Sequence, residues 1–107
     1  MDVCVLSGDL MFFTAVEGVA VAMGHTARQV ETLDAIGRPD VLFVDMSTIR
    51  TSIDAIAAAF EPLRTAIFTP HERVDVFTAA RANGIAHVHR RGALASEVPR
   101  IIAEYAV

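Results

Sequence analysis

Val41-Leu42-Phe43-Val44-Asp45 is a run of four apolar residues, with β-branched and aromatic side chains, that ends on a carboxylate. Such a run is typical of a strand buried on both faces, as in a parallel sheet covered by helices. Asp45 then lies at the carboxyl edge of the sheet, where open α/β sheets bind ligands. The alternative interpretation is that Asp45 only caps the turn that follows it.

The length of 107 residues is that of one domain, residues 1–107, with one core. Hydrophobic residues make up 53% of the chain, which suits a sheet buried on both faces or an apolar surface kept for a partner. The apolar runs are too short to span a membrane, and the start of the chain lacks the basic segment of a signal peptide. We therefore expect a cytoplasmic protein that does not contact a membrane.

The charge distribution excludes several classes of site. The net charge is −4 and the sequence pI is about 5.4, which argues against nucleic-acid binding because nucleic-acid modules normally carry a basic patch. All nine basic residues are arginines, so Schiff-base chemistry on a lysine and a phosphate loop with a lysine are both excluded. The single cysteine, Cys4, has no partner for an internal disulfide.

Short apolar runs alternate along the chain with segments of helical periodicity. This alternation predicts five β-α units, a parallel sheet with right-handed crossovers, and hence a doubly wound, flavodoxin-like α/β fold of strand order 2-1-3-4-5. We predict strands at 3–6, 25–32, 41–45, 65–69 and 85–89, of which the second has the weakest apolar signal. We predict helices at 10–23, 49–63 and 70–83, a short helical turn at 33–37, and a last helix capped by Ser96.

One helix start carries a specific expectation. Thr69-Pro70-His71-Glu72 has the form of a capping box with proline at the first helical position. The helix of residues 70–83 would then begin there and turn Val74 and Phe77 toward the core. Under this interpretation Thr69 has a purely structural role.

Polar side chains follow strands one, three, four and five, and parallel strands bring these ends to one edge of the sheet. An acid, a hydroxyl and a guanidinium at this edge are able to hold a phosphoryl group or a small anion. The candidates are Asp9, Asp45, Thr69 and Arg91. Structural alternatives stay open, because Asp9 can cap the first helix and Arg91, with its neighbour Arg90, can be solvated or can neutralise Asp45.

Three segments resemble the receiver domain of two-component response regulators, of the chemotaxis-receiver type, and the resemblance covers nearly the whole chain. They are Pro39–Asp45, Ala66–Thr69 and Ala82–Ala86. The resemblance implies that Asp45 is the phosphoacceptor and that Thr69, at the end of strand four, is the switch residue. It also places Arg91 where the family has a lysine.

The chain departs from this family at the metal site. Ser7 and Gly8 stand where receivers carry an acidic pair that binds Mg²⁺, and Asp9 follows one position later. Because Mg²⁺ demands oxygen ligands in near-octahedral geometry, we expect no cofactor unless Asp9 replaces the pair and binds the ion together with Asp45. These departures indicate a pseudo-receiver, in which we predict that the guanidinium of Arg91 pairs with Asp45 in place of the cation.

The fourth helix, fifth strand and fifth helix form the surface that the resembled family commonly uses for partners and dimers. Mixed charges around apolar groups fit a polar-rimmed interface and equally fit plain solvated surface. His87 and His89, two residues apart on the strand, are also a weak candidate for a metal site or a pH sensor. The candidate partner-face residues are Asp75, Val76, Arg81, His87, His89, Glu97, Arg100, Glu104 and Tyr105.

These features predict a stand-alone, receiver-like signalling module that is not an enzyme and that acts on a protein partner, a kinase or an effector. The pathway would be of the two-component or phosphorelay type, and action independent of phosphorylation fits the lost metal pair. A homodimer through the fourth helix, fifth strand and fifth helix is a further expectation. The alternative is a small flavodoxin-like enzyme or anion-binding domain that uses Asp45 and Arg91, and a third alternative is one domain of a longer regulator.

Overall fold

Five parallel strands form one sheet, in the order β2-β1-β3-β4-β5, in the computed structural model, which describes residues 1–106. The strands are β1 (Asp2–Leu6), β2 (Thr26–Val30), β3 (Val41–Asp45), β4 (Thr65–Thr69) and β5 (His87–Arg90). The helices are α1 (Leu10–Ala22), α2 (Ile53–Ala59), α3 (Val74–Ala82) and α4 (Leu94–Tyr105). Short 3-10 turns lie at Leu33–Ala35, Pro62–Arg64 and Arg91–Ala93. The strand order and the parallel pairing confirm the fold that the alternation predicts.

The sheet carries a hydrophobic core on each face, because its central strands are apolar on both sides. In β3, Val41 and Phe43 face α1 and α4, while Leu42 and Val44 face α2 and α3. All five residues of β3 are buried, as predicted. Each large apolar side chain buried in this way contributes about 1.5–3 kcal/mol, so β3 is a central contributor to stability. The helices add Phe12, Val16, Ala20, Val98, Ile101 and Ile102 to the first core and Ile53, Ile56, Val76 and Ala80 to the second.

The crossover from β2 to β3 contains the 3-10 turn Leu33–Ala35, which lies within the short helical turn predicted at 33–37. Arg28 of β2 holds this crossover in place. Its guanidinium donates to the carbonyl oxygen of Ala35 at 3.1 Å, to that of Ile36, and to the carboxylate of Asp2 at 3.3 Å. Residues 1–106 therefore hold four α-helices, and none of these is long and apolar enough to cross a membrane.

Helix α2 is shorter than the predicted segment 49–63. The hydroxyl oxygen of Ser52 accepts a hydrogen bond from the backbone amide three residues later at 3.2 Å and so begins the helix. The helix ends before Phe60, whose φ of −152° and ψ of 162° are extended. Ile49 and Leu63 match the helical spacing but lie in the flanking turns, where Ile49 is buried and Leu63 is exposed.

The predicted capping box at Thr69 is wrong. Thr69 is the last residue of β4, and α3 begins only at Val74, after a turn. Val74 is therefore 69% exposed rather than turned inward and Phe77 is half-buried, while Val76 and Ala80 fill the core. Val74 and Val76 lie on opposite sides of the helix because each residue advances it by about 100°.

Helix α4 begins at Leu94, two residues before the predicted cap Ser96. Ser96 lies inside the helix, and its hydroxyl donates to the carbonyl oxygen of Ala93 at 3.1 Å. The 3-10 turn Arg91–Ala93 joins β5 directly to α4, so the helix takes its starting position from the strand.

Glycines follow the ends of α1 and α3. Gly24 and Gly84 have φ angles of 87° and 71°, a left-handed conformation that ends helices and favours glycine. After Gly84, the amide of Ile85 donates back to the carbonyl oxygen of Ala80 at 3.0 Å. That bond closes the helix, so β5 begins at His87 rather than at the predicted residue 85.

Candidate functional site at the carboxyl edge

Asp45 ends β3 at the centre of the carboxyl edge, and its side chain is fully buried. Its Oδ2 accepts hydrogen bonds from the hydroxyls of Ser7 at 2.9 Å and Thr48 at 3.1 Å. Its Oδ1 accepts from the amide of Ser47 and from Nη1 of Arg91, both at 3.1 Å. Four donors therefore satisfy both oxygens, and this is what a buried ionised carboxylate requires.

Arg91 bridges two carboxylates from the turn that follows β5. Its Nη1 contacts Asp45, and its Nη2 lies 2.5 Å from Oδ2 of Asp9. The guanidinium carbon also lies 5.3 Å from the centroid of the Phe12 ring, within range of a cation–π contact. The predicted pairing of Arg91 with Asp45 is confirmed, and Arg91 is about one-third exposed at the mouth of the site.

Asp9 caps α1, which is one of the roles that the sequence leaves open, and it also pairs with Arg91. Its Oδ1 accepts a hydrogen bond from the amide of Met11 at 2.9 Å and caps α1, while its Oδ2 pairs with Arg91. The hydrogen bond from Arg91 is the largest cause that holds the pKa of Asp9 below its ordinary value. Ser7 links the two acids, because its hydroxyl oxygen accepts from the amide of Asp9 at 2.9 Å while the hydroxyl donates to Asp45.

The donor set at this edge does not fit Mg²⁺. Asp9 and Asp45 both face the guanidinium of Arg91, and Ser7 offers a hydroxyl where receivers have a carboxylate. Across residues 1–106, no group of three or more His, Cys, Asp and Glu side chains is arranged to hold a metal ion. In this arrangement Asp9 and Asp45 are both paired with Arg91, and weak or absent Mg²⁺ binding stays a prediction.

Thr69 lies at the end of β4, the neighbour of β3 in the sheet. Its side chain is fully buried, and its hydroxyl oxygen finds no hydrogen-bond partner in the described part of the chain. A buried hydroxyl without a partner is costly, about 1–3 kcal/mol, so such a group merits a functional explanation. The structure brings Thr69 to the same edge as Asp45 and Arg91, as the sequence predicts.

Sequence reasoning missed three ligands of Asp45. The sequence analysis places Ser7 where the acidic pair is missing and offers Asp45 as the cap of the turn that follows it, but it names none of Ser7, Ser47 and Thr48 as a donor to the carboxylate. The signal was present, because an aspartate followed by Ser and Thr in a turn commonly accepts hydrogen bonds from the next residues.

Seven of the nine proposed partner-face residues lie on helices α3 and α4. Asp75 and Arg81 belong to α3 and Arg100 to α4, and all three are exposed. Asp75 pairs with Arg73 at 3.2 Å, and Arg100 with Glu97 at 3.4 Å. Exposed pairs of this kind contribute less than about 1 kcal/mol each, so they are free to exchange partners.

The other partner-face candidates are partly used inside the fold. The ring of His89 lies 5.6 Å from that of Phe68, and the hydroxyl of Tyr105 donates to the carbonyl oxygen of Leu63 at 2.6 Å. Burial raises the pKa of Tyr105 to about 12. Val76, also predicted for this face, is 2% exposed and belongs to the core.

No protein-family model and no curated protein matches the sequence. Solved structures do match it. The response regulator receiver protein from Burkholderia phymatum has a TM-score of 0.72 at 18% identity, over 97% of this chain and 93% of that chain. The response regulator receiver domain protein from Clostridium thermocellum has a TM-score of 0.76 at 15% identity, over 97% and 92%. The beryllofluoride-activated NtrC4 receiver domain dimer has a TM-score of 0.67 at 15% identity, over 97% and 98%.

The TM-scores of 0.67–0.76 show a shared fold. Because the identities are only 15–18%, the chemistry of the pocket has to be argued from the residues of this chain. The order and the parallel pairing of the five strands are consistent with these matches, which cover nearly the whole length of both chains. The chain therefore has the fold of response regulator receiver domains, as its sequence resemblance implies.

Proposed function

We propose that this chain is a signalling module of receiver fold that acts by binding a protein partner. We further propose that the guanidinium of Arg91 keeps the pocket around Asp45 in one charge state. In this proposal the pocket is not switched by Mg²⁺-dependent phosphorylation. The observation that carries the proposal is the guanidinium of Arg91, which lies 3.1 Å from the carboxylate of Asp45 and 2.5 Å from that of Asp9. The fold shared with receiver domains supports the signalling role.

Charge and access argue against ordinary phosphoryl transfer to Asp45. Phosphoryl transfer needs positive charge on the transferred oxygens and an aligned, accessible acceptor. Asp45 is fully buried, and each of its oxygens already accepts two hydrogen bonds. Arg91 is shared between two carboxylates, so its positive charge is already neutralised before a phosphoryl group arrives. We infer that the unmodified pocket is the working state, with Thr69 as the free hydroxyl that responds if the pocket changes.

The partner is proposed to bind α3, β5 and α4, where Asp75, Arg81 and Arg100 are exposed. A kinase or effector of a two-component or phosphorelay-type pathway is the proposed class of partner, in the cytoplasm, and the chain itself performs no catalysis. The NtrC4 receiver domain has been solved as a dimer, which supports a homodimer as one form of this chain. We propose α3, β5 and α4 as its interface. Light scattering of the wild type against Arg100→Glu tests that form.

The pocket is tested by incubation with acetyl phosphate, or with beryllofluoride and Mg²⁺, followed by intact mass and amide NMR. We expect no adduct on the wild type and unchanged amide resonances around Asp45. Asp45→Asn is the control that removes the acceptor, and Arg91→Lys is the matched variant that restores a compact ammonium. An adduct on the wild type that Asp45→Asn abolishes would overturn the proposal.

Titration with MgCl₂ by calorimetry tests the metal site separately. We expect no site of millimolar or tighter affinity, because Arg91 occupies the carboxylates that a cation needs. Tight binding that disappears in Asp9→Ala would show that Asp9 does replace the missing acidic pair.

A further inference from the structure

Two histidines join the edge strand β5 to helix α4 through contacts that the proposed function does not use. Nε2 of His87 lies 2.9 Å from Oε2 of Glu104, whereas Nε2 of His89 lies 4.0 Å from Oε2 of Glu97. The two imidazole rings stack with their centroids 5.8 Å apart. The histidines therefore face two glutamates across the same joint, but only the first pair is within hydrogen-bond distance.

His89 occupies an apolar position. Its ring packs against Phe68 of β4, with centroids 5.6 Å apart, and its Nε2 atom is buried. Within residues 1–106 this nitrogen has no hydrogen-bond partner. A neutral imidazole tolerates such a position at modest cost, but an imidazolium would place a charge and an unsatisfied N–H there. Burial accordingly lowers the pKa of His89.

The charges that face His89 come from α4 and from its own strand. Glu97 opposes the effect of burial on the pKa of His89, while His87 and Arg100 add to it. Glu97 also lies 3.4 Å from Nη1 of Arg100, so its carboxylate is shared. The element beneath, β4, offers only the uncharged ring of Phe68. Among the described residues at this joint, none is a dedicated counter-ion for a protonated His89.

We propose that His89 makes the joint between β5 and α4 acid-sensitive, so that protonation of His89 in mildly acidic solution loosens α4 from the sheet. The protonated ring of His89 moves away from the ring of Phe68 into solvent. The part of α4 around Glu97, which covers His89, separates from β5. This inference concerns the stability of one joint and does not depend on the proposed signalling role.

The direction of the pH effect follows from proton linkage. The folded protein binds the His89 proton less tightly than the unfolded chain does, because burial disfavours the charged ring. Stability is therefore complete above the ordinary pKa of histidine, about 6.5, and decreases as the pH falls below it. The unfolding equilibrium constant can rise by up to about tenfold for each pH unit for one such proton.

Denaturation in urea at about pH 7.5 and about pH 5.5 tests this inference on three proteins. His89→Phe keeps an aromatic contact and removes the proton, and His87→Phe is the matched control on the same face. We expect the midpoint of the wild type and of His87→Phe to fall at the lower pH, and that of His89→Phe to stay constant. Equal pH dependence in wild type and His89→Phe, or its loss in His87→Phe alone, would overturn the inference.

Two measurements on the wild type keep the inference testable if His89→Phe does not fold. In an NMR titration, the imidazole resonances of His89 should move below about pH 6.5, and titration above that value contradicts the inference. Amide hydrogen exchange, corrected for its intrinsic pH dependence, should quicken in α4 at the lower pH while α1 keeps its protection. Equal loss of protection in α1 and α4 would show global unfolding and would contradict a local joint.

Discussion

The carboxyl edge of the sheet buries the carboxylate of Asp45, and the joint between β5 and α4 buries the Nε2 atom of His89, but the surroundings of these two titratable groups are opposite. Asp45 accepts four hydrogen bonds, from two hydroxyls, one backbone amide and Arg91. His89 keeps a buried nitrogen with no partner among residues 1–106. The difference follows from charge, since an ionised carboxylate needs donors wherever it is buried, whereas an imidazole can stay neutral near pH 7.

The two regions also differ in how many elements they hold together. The bonds to Asp45 connect β3 with β1 through Ser7 and with the turn after β5 through Arg91, which reaches α1 through Asp9. Within residues 1–106, the ring and ion-pair contacts of His89 involve β4, β5 and α4. Loss of a group at the carboxyl edge should therefore cost more than loss of one at the joint, and the following substitutions measure the cost at the edge for comparison with His89→Phe at neutral pH.

Arg91→Ala has the largest expected effect. It leaves the buried carboxylate of Asp45 without a counter-ion, and breaking a fully buried pair costs about 3–5 kcal/mol. Because the side chain of Arg91 is 34% exposed, we expect a smaller loss of about 2–3 kcal/mol in the free energy of unfolding. Urea denaturation at neutral pH measures it, with the exposed neighbour Arg90→Ala as control, expected within about 0.5 kcal/mol of wild type. Equal values for the two variants would show that the bridge is weak.

Asp45→Asn should destabilise the protein less than Arg91→Ala does. The asparagine fills the same space and keeps one acceptor oxygen, and it buries no charge that needs Arg91. We expect a loss of about 1–2 kcal/mol, and a double variant that loses less than the sum of the two single losses. The coupling energy from the four denaturation curves measures the pair directly. A coupling near zero would mean that Arg91 and Asp45 act independently.

Ser7→Ala removes the hydroxyl that donates to Asp45 and accepts from the amide of Asp9, both at 2.9 Å. Since both partners stay in place and one of them is a buried charge, we expect a loss of about 1–2 kcal/mol in the free energy of unfolding. Ser96→Ala, which removes an exposed hydroxyl from α4, is the matched control and should change stability by less than about 0.5 kcal/mol. If the Ser7 variant is as stable as its control, the interactions of Thr48 and Arg91 are sufficient to stabilise the carboxylate of Asp45.

The fold was predictable where strands are buried on both faces. The bounds of β3 and β4 match the sequence prediction residue for residue, because turn and helix signals flank runs that are almost wholly apolar. Helix starts were less predictable, since Thr69 and Ser96 are good caps by residue type, while the positions of α3 and α4 are set by the turns that precede them. Local propensity is a weak guide where tertiary packing decides.

The site was predictable to the extent that topology alone brings groups together. The ends of parallel strands meet at one edge, so Asp45 and Arg91 were expected to pair, and they do. The 4.0 Å separation of His89 from Glu97 depends on how α4 lies across β5, which no local sequence pattern encodes. The unsatisfied nitrogen of His89 is therefore visible only in the folded chain.

Asp9 has the smallest expected effect, and its dependence on pH distinguishes its two roles. Its Oδ1 caps α1 through the amide of Met11, and its Oδ2 pairs with Arg91, which holds the pKa of Asp9 below its ordinary value. Since the folded pKa is the lower one, the contribution of the pair is present above the ordinary pKa and is lost as the pH falls through the folded value.

Asp9→Asn separates the roles, because asparagine is also a good helix cap but carries no charge. The wild type should be the more stable protein at neutral pH, and the difference should shrink as the pH falls below about 4, where the carboxylate of the wild type becomes protonated. Urea midpoints of both proteins between about pH 3 and about pH 7 measure the difference. If the difference in stability between the two proteins does not change over this pH range, the pair with Arg91 contributes little and Asp9 acts only as the cap of α1. In that case Asp45 alone positions Arg91.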